Sequence, residues 1–580
     1  MHVEIIEGAD AFRALREDWI AVYDSDPEAQ YFLSYDWLFG TRGGPGHSGL
    51  VLAARAEGPD SPLVAFTSLR CRTQHGSEGF STEFGFSGNN VSDYNGFICR
   101  PEYEDQAIPA MAERLKQMTW GSLRFLSLAA SSRRAELFMN RFSPQEFGFS
   151  DISMVNPDGV DNGICPFTLL SSDWDDFLQT RVSSNTRQKI RRYMRQVEGS
   201  DVYRITHTDA ATFERDMDLL IELWTQRWGK RKGKRLAAIL DTNRRMLKHA
   251  FMTGTLFMPV LWHGDRAICA LAILVDQRKG SYNFLIGGRD EAFQDLPAGL
   301  VMHGYAIRHA IAQGMVKYDF LRGDEPYKYS FGAQEFHLKS VLVEPKDREA
   351  RAPSLDARSL AFVLRRSAEL WREKKPAEAA RGYDQVLEIE PHNTSALYLR
   401  GLVGTRVGDH AMAASQFRAL LYLRPESVKV WFRLGQSLAA RGEWAEVVET
   451  FRKLLARNDA LPRAWFLMGR ALYNLKQYDE AFSAFDRALR LKKDYPDAQR
   501  GYLLALRRNN ERRALDAALR NRSAKKPATE TGTVQTVLDF SHAGSPLAGD
   551  GKSTASAIHT VMAASAMARR RVVIRNLARS

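Results

Sequence analysis

Residues 317–332 read KYDFLRGDEPYKYSFG. The stretch opens like a β-strand, with Tyr318 and Phe320 on one side of the chain and Asp319 on the other. It then gathers Arg322, Asp324, Glu325 and Lys328 around Gly323 and Pro326. Gly323 permits a tight turn and Pro326 stops strand pairing. Arg322 can grip a phosphate or carboxylate through two parallel donors, and Lys328 can do so as a point charge. Asp319 or Asp324 can take a proton from an amine or orient it, and Tyr327 can donate a proton. The same residues also read as an ordinary turn, pinned by an Arg322–Asp324 pair with Lys328 in solvent.

What precedes the stretch gives it a setting. A helix over 298–313 starts at Ala298, Gly299 and Leu300, directly after Asp295-Leu296-Pro297. Before it, apolar runs at 255–263, 266–276 and 280–288 read as three strands, the first two joined by a His263-Gly264-Asp265 turn. Upstream lie a strand at 165–170, one long helix at 173–198, and helices at 210–228 and 236–251. Residues 1–160 repeat the alternation. HVEIIE is a strand, and the following helix puts Phe12, Leu15 and Trp19 on one face. Residues 49–57 and 62–72 form a strand pair, YNGFICR is a further strand, and another follows at 122–128. The plan is α/β in two similar halves, 1–160 and 161–350, with a last strand at 338–343 closing the second.

The remainder is a repeat. Gly401, Gly435 and Gly469 stand 34 residues apart, as do Phe417, Phe451 and Phe485, and as do Trp431 and Trp465. The pattern describes pairs of amphipathic helices with small residues where they cross, and it resembles the tetratricopeptide repeat. Four repeats and a capping stretch fill 358–520. By that resemblance they form an all-α solenoid whose concave face binds a protein or peptide partner. Residues 521–580 are rich in small and polar residues and are expected to be disordered. Their GDGKST segment lacks the first glycine of a phosphate loop, since Pro546 stands there, so no ATP site is expected.

The run from the strand pair through YNFLIGGRD and LPAGLVMHGYAIRHAIAQGM to YDFLRGDEPYKYSFG resembles the acetyltransferase domain of CelD-type proteins, linked to bacterial cellulose biosynthesis. YFLSYDWL at 31–38 and NVSDYNGFICRPE at 90–102 support the resemblance. The family belongs to the GNAT superfamily and is similar to the Fem aminoacyltransferases. The resemblance implies a duplicated GNAT-like fold and acyl transfer from acyl-CoA, acetyl-CoA foremost, to an amine such as an amino sugar or envelope polysaccharide precursor, with no metal.

It places Ala298, Gly299, Leu300 and Arg322 at the cofactor. Asp319, Asp324, Tyr327 and Lys328 fall at the chemistry, and Asp93, Tyr94 and Trp228 at the acceptor. Asp93 and Tyr94 also read as a strand-start cap. Trp228, with Trp224 and Arg227, could form an acceptor wall, but two tryptophans near a helix end are more often core, and His303 reads better as a packed helix histidine than as a base. QDLPAGLV is an imperfect version of the GNAT phosphate loop, which leaves an adaptor without activity as one alternative. A Fem-like enzyme using aminoacyl-tRNA is the other, and the basic segments 187–195 and 227–235 suit it.

Composition agrees with a folded, multidomain chain: 580 residues, 44% apolar and 26% charged. The net charge of +12 suggests acidic partners. No apolar run is long enough to span a bilayer and the N-terminus has no secretory pattern, so a cytoplasmic protein is expected. Cys71, Cys99, Cys165 and Cys269 form no Cys-x-x-Cys pair, and neither a metal site nor a disulfide framework is expected.

Overall fold

The computed structural model describes residues 1–40, 48–88, 91–347 and 354–523. The low-complexity tail, including GDGKST, lies outside these from residue 524 onward. The chain divides into two compact units, Met1–His75 with Ser81–Ser359, and Gly76–Phe80 with the chain from Leu360 onward.

The first unit holds two mixed sheets. The strands of the first half are β1 (His2–Glu7), β2 (Ser48–Arg55), β3 (Leu63–Gly76), β4 (Gly79–Phe86), β5 (Ile98–Cys99), β6 (Ser122–Leu128) and β7 (Phe147–Asp151). Those of the second are β8 (Ile164–Leu169), β9 (Tyr203–His207), β10 (Leu256–Phe257), β11 (Pro259–His263), β12 (Arg266–Asp276), β13 (Ser281–Arg289), β14 (Lys317–Asp319) and β15 (Gln334–His337). A last strand, β16, spans Lys339–Pro345. The first sheet runs β1-β2-β3-β4-β6-β16-β7, with β5 on β3. The second runs β15-β8-β14-β13-β12-β11-β9, with β10 on β12.

The strand expected at 338–343 therefore does not close the second half. As β16 it returns to the first sheet, where Val341 pairs with Phe125 on one side and Asp151 on the other. The helix expected over 173–198 is two helices, Trp174–Arg181 and Ser184–Glu198. Val182 between them is extended, and the Ser183 hydroxyl accepts from the Thr186 amide to start the second helix.

β12 is apolar almost throughout because both its faces are covered. Ile268 and Ile273 pack with helices Ser184–Glu198 and Ala298–Ala312. Ala270 and Ala272 meet Met217 and Leu220 of helix Phe213–Lys232. The first sheet packs on helix Glu104–Lys116 through Ile108, Met111 and Leu115. A third core joins the halves: Trp19, Trp37 and Tyr94 pack with Cys165, Leu274 and Leu321.

The second unit is helical, in pairs that follow the 34-residue period. The first helices of the pairs are Leu360–Arg372, Thr394–Val407, Val428–Arg441 and Pro462–Asn474. The second helices are Pro376–Ile389, His410–Leu423, Trp444–Leu455 and Tyr478–Leu491, and helix Pro496–Ser523 follows. The glycine–phenylalanine period has a steric cause. A Cβ on Gly401 would lie 2.6 Å from the Phe417 ring, one on Gly435 2.6 Å from Phe451, and one on Gly469 2.9 Å from Phe485. Each ring fills the place a larger residue would need. The Trp431 and Trp465 indoles each donate to a carbonyl six residues back, at 2.8 Å.

Candidate functional site

β13 and β14 run parallel but pair over only three residues, Ser281 with Lys317, Tyr282 with Tyr318 and Asn283 with Asp319. β14 then ends, while β13 continues to Arg289 on its β12 side. From Phe284 onward the β14-side edge of β13 has no strand partner among the described residues. A register shift at Ala272/Ile273 leaves Leu285 as the extra residue of β13. Helix Ala298–Ala312 begins shortly after β13 with no capping side chain, and a Cβ on Gly299 would meet nothing within 4 Å. The result is an open split in the sheet beside an uncapped helix start. Helix Phe213–Lys232 closes tightly on the far end of β13: a Cβ on Gly288 would lie 2.6 Å from both Leu223 Cβ and the Trp224 amide nitrogen.

The opening stretch forms the edge of this split, and most of its charges turn inward. Asp319 is 1% exposed. Its oxygens accept from the Tyr94 hydroxyl at 2.9 Å and from the Leu321 amide at 2.9 Å, and Lys317 Nζ stands at 3.1 Å. Lys317 also donates to Gln30. Burial, then the charge of Asp319, pushes the Tyr94 phenol well up, so it stays protonated and donates. The Asp319–Leu321 bond holds Leu321 at φ 57, a left-handed conformation costly for a leucine, and Gly323 follows at φ 106. Lys328 is 3% exposed. It is not solvated: Nζ donates to the carbonyls of Leu321, Arg322 and Gly323 at 3.3, 2.8 and 2.9 Å and pairs with Glu325 at 2.9 Å. Arg322 pairs with Asp93 at 2.6 Å rather than with Asp324. One Asp324 oxygen accepts from the Asp161 amide at 2.9 Å.

Asp319, Tyr94, Lys328, Arg322 and Asp93 thus form one assembly that fixes residues 319–323. Tyr327 differs, being 39% exposed, with its ring 5.5 Å from that of His303. His303 is buried and its Nδ1 lies 3.0 Å from the Tyr318 hydroxyl. Burial, then the charge of Lys328, lowers its pKa from 6.5 to about 3, so the ring is neutral. At the other lip, Trp228 is half-buried under Arg227, Arg231 and Lys232, whose charged groups lie 4.8, 5.3 and 5.8 Å from its ring centre. Arg227 and Arg289 both reach Glu291, just ahead of the helix start.

Lys317, Gln30 and Gly288 were not singled out from sequence. Lys317 lies inside the quoted stretch, but its pairing depends on a residue nearly three hundred positions away. Gly287-Gly288 within an apolar strand is the one local signal of close backbone approach. A small cavity of about 10 Å³ beside Trp19 and Phe66 and an open groove of about 390 Å³ along Phe142, Phe149 and Val341 lie away from residues 281–332. Among the described residues no group of three or more His, Cys, Asp or Glu could hold a metal ion, and no helix is long and apolar enough to cross a membrane.

Residues 184–329, which contain this split, match the family model of an acetyltransferase (GNAT) domain. Residues 364–428, 406–462 and 462–495 match models of the tetratricopeptide repeat. The chain therefore carries a GNAT-type acetyltransferase domain, in a mixed α/β region of two sheets, followed by all-helical tetratricopeptide repeats. No curated protein matches the chain. Among solved structures, FemX is 10% identical with a TM-score of 0.43, covering 60% of this chain and 98% of its own. MamA is 16% identical with a TM-score of 0.26, over 30% of this chain and 99% of its own. MamA from Desulfovibrio magneticus RS-1 is 21% identical with a TM-score of 0.24, over 27% and 96%.

Proposed function

We propose that the chain transfers an acyl group from acyl-CoA, acetyl-CoA foremost, to an amine on an amino sugar or envelope polysaccharide precursor, and that its repeats recruit a protein partner. The observation that carries this reading is the split between β13 and β14 beside the uncapped start of helix Ala298–Ala312. The amides of Gly299 and Leu300 suit a pyrophosphate, because a helix N-terminus concentrates unpaired donors and positive potential; the Ala298 amide beside them is bonded to the Leu296 carbonyl at 2.8 Å. The open edge of β13 offers backbone donors and acceptors to the amide-bearing arm of the cofactor. Trp228 gives a sugar ring a flat wall, with Arg227 beside it.

In the transfer the acceptor nitrogen attacks the thioester carbonyl, a C–N bond forms and the C–S bond breaks. Asp324, with one oxygen outside its bond to Asp161, takes the amine proton. Tyr327 gives a proton to the departing thiolate and is reprotonated from solvent, to which Asp324 releases the amine proton. Asp319, Tyr94, Lys328, Arg322 and Asp93 hold the edge in place and act as positioning residues.

The test is a thermal melt with acetyl-CoA, followed by release of free thiol when glucosamine is added. Binding to the folded state raises the melting temperature by mass action. No stabilisation by any acyl-CoA at about 1 mM removes the reading.

A second reading, transfer from aminoacyl-tRNA, is favoured by helix Ser184–Glu198. Its Lys189, Arg192 and Arg195 are exposed without an acidic partner among the described residues. It requires tRNA binding that weakens steeply with salt.

A further inference from the structure

The repeats divide their charge unevenly between their two kinds of helix. Helices Thr394–Val407, Val428–Arg441 and Pro462–Asn474 contain seven Lys or Arg and no Asp or Glu. In the second helices of the last two repeats each cation meets a carboxylate: Arg452 with Glu480, Lys453 with Glu449, Arg487 with Asp459 and Arg490 with Asp486. Lys429, Arg433, Arg463 and Arg470, on first helices, have no acidic partner among the described residues.

These cations share a face. Residues three and seven apart lie on one side of a helix. Lys429, Phe432 and Gln436 are therefore aligned, and one repeat on they become Arg463, Phe466 and Arg470. One repeat back stands Tyr398. The rows touch across the repeats: Lys429 Nζ lies 4.9 Å over the Tyr398 ring and the Arg463 guanidinium 5.8 Å over Phe432. The Nε of Arg470 is buried with no hydrogen-bond partner, and so is the Tyr398 hydroxyl.

We propose that this face binds an extended acidic segment of a partner protein; this rests on the reading that the repeats recruit a partner and names its chemistry. Unpaired cations at a one-repeat spacing supply the charge complementarity, and the Gln436 side-chain nitrogen faces a peptide backbone while its oxygen accepts from Arg433 at 3.2 Å. A single-stranded nucleic acid fits less well. Its bases need free ring faces, and cations already lie over Tyr398 and Phe432.

The test uses the whole chain and three fluorescein-labelled peptides of about 12 residues, built of Asp-Glu-Phe, Gln-Asn-Phe or Lys-Arg-Phe units. Fluorescence anisotropy is expected to show the acidic peptide binding well above the other two. A Lys429→Glu/Arg463→Glu variant, and the milder Lys429→Gln/Arg463→Gln, should weaken it by about tenfold or more. Arg452→Gln, on a second helix, should leave it unchanged. Acidic binding no tighter than neutral, or unaltered in both first-helix variants, overturns the proposal. If the neutral peptide binds best, partner recruitment survives and only the acidic chemistry falls. If no peptide binds, both fall. A deoxythymidine oligonucleotide of the same length binding more tightly than the acidic peptide overturns it in favour of nucleic acid.

Discussion

Tyr94 and Asp319 stand 225 residues apart and meet at 2.9 Å in the core between the halves. Tyr94→Phe keeps the ring and removes the hydroxyl. It should cost about 1.5–3 kcal/mol, the range for a hydrogen bond to a charged group, read from urea denaturation. Acyl transfer should fall with it, because Leu321 loses part of the support for its left-handed conformation. His303 gives a pH signature. Its folded pKa, about 3, lies below the ordinary 6.5, so between those values the unfolded chain binds a proton that the folded chain does not. Its contribution to stability is present above pH 6.5 and is lost as pH falls toward 3. Replacing it, as in His303→Gln, should flatten the decline of the unfolding free energy from urea denaturation across that window by up to about 1.4 kcal/mol per pH unit. An unchanged slope would remove the assignment. The sequence marked Asp319, Arg322 and Lys328 as a group but not their direction. A lysine after a proline turn reads as solvated or ligand-binding, because nothing local reports that three carbonyls converge on it.

Elements were legible where a period ran long enough. The 34-residue spacing of glycine and phenylalanine marked three helix pairs of the repeats, since each glycine answers a ring in its own repeat. Gly435→Ala should therefore destabilise the repeats by about 1–2 kcal/mol despite its better helix propensity, and Phe451→Leu should recover part of that in the double variant. In β13, Gly288→Val should do more harm, because the atoms it meets include the Trp224 backbone. A loss of about 3 kcal/mol or more is expected, with impaired acetyl-CoA binding in the melt. The strand at 338–343 was found and its sheet was not. An alternating apolar strand fits any sheet with a vacant edge, and sequence carries no sign of which edge is vacant. Short or irregular strands such as β4, β7, β9 and β15 were missed for the related reason that their pairing is set by distant partners.

At the scale of the molecule, each compact unit has its own core, so two calorimetric transitions are expected. Acetyl-CoA at about a hundred times its dissociation constant adds about 2.7 kcal/mol to the unit that binds it, and should raise only one transition. A single transition, or an equal rise in both, would show that the units melt together. The return of β16 also bears on how the chain is made. Among the described residues β7 joins the first sheet only through β16, and β6 has β16 on one side. After Asp151 leaves the ribosome, the sheet waits for a strand that ends at Pro345. At ~5–20 residues per second the intervening chain takes roughly 10–40 s to synthesise. For that interval Phe147 and Phe149 sit on a strand with no neighbour, exposed to any chaperone or neighbouring nascent chain that reads open β-edges. The first half is translated first and completed last.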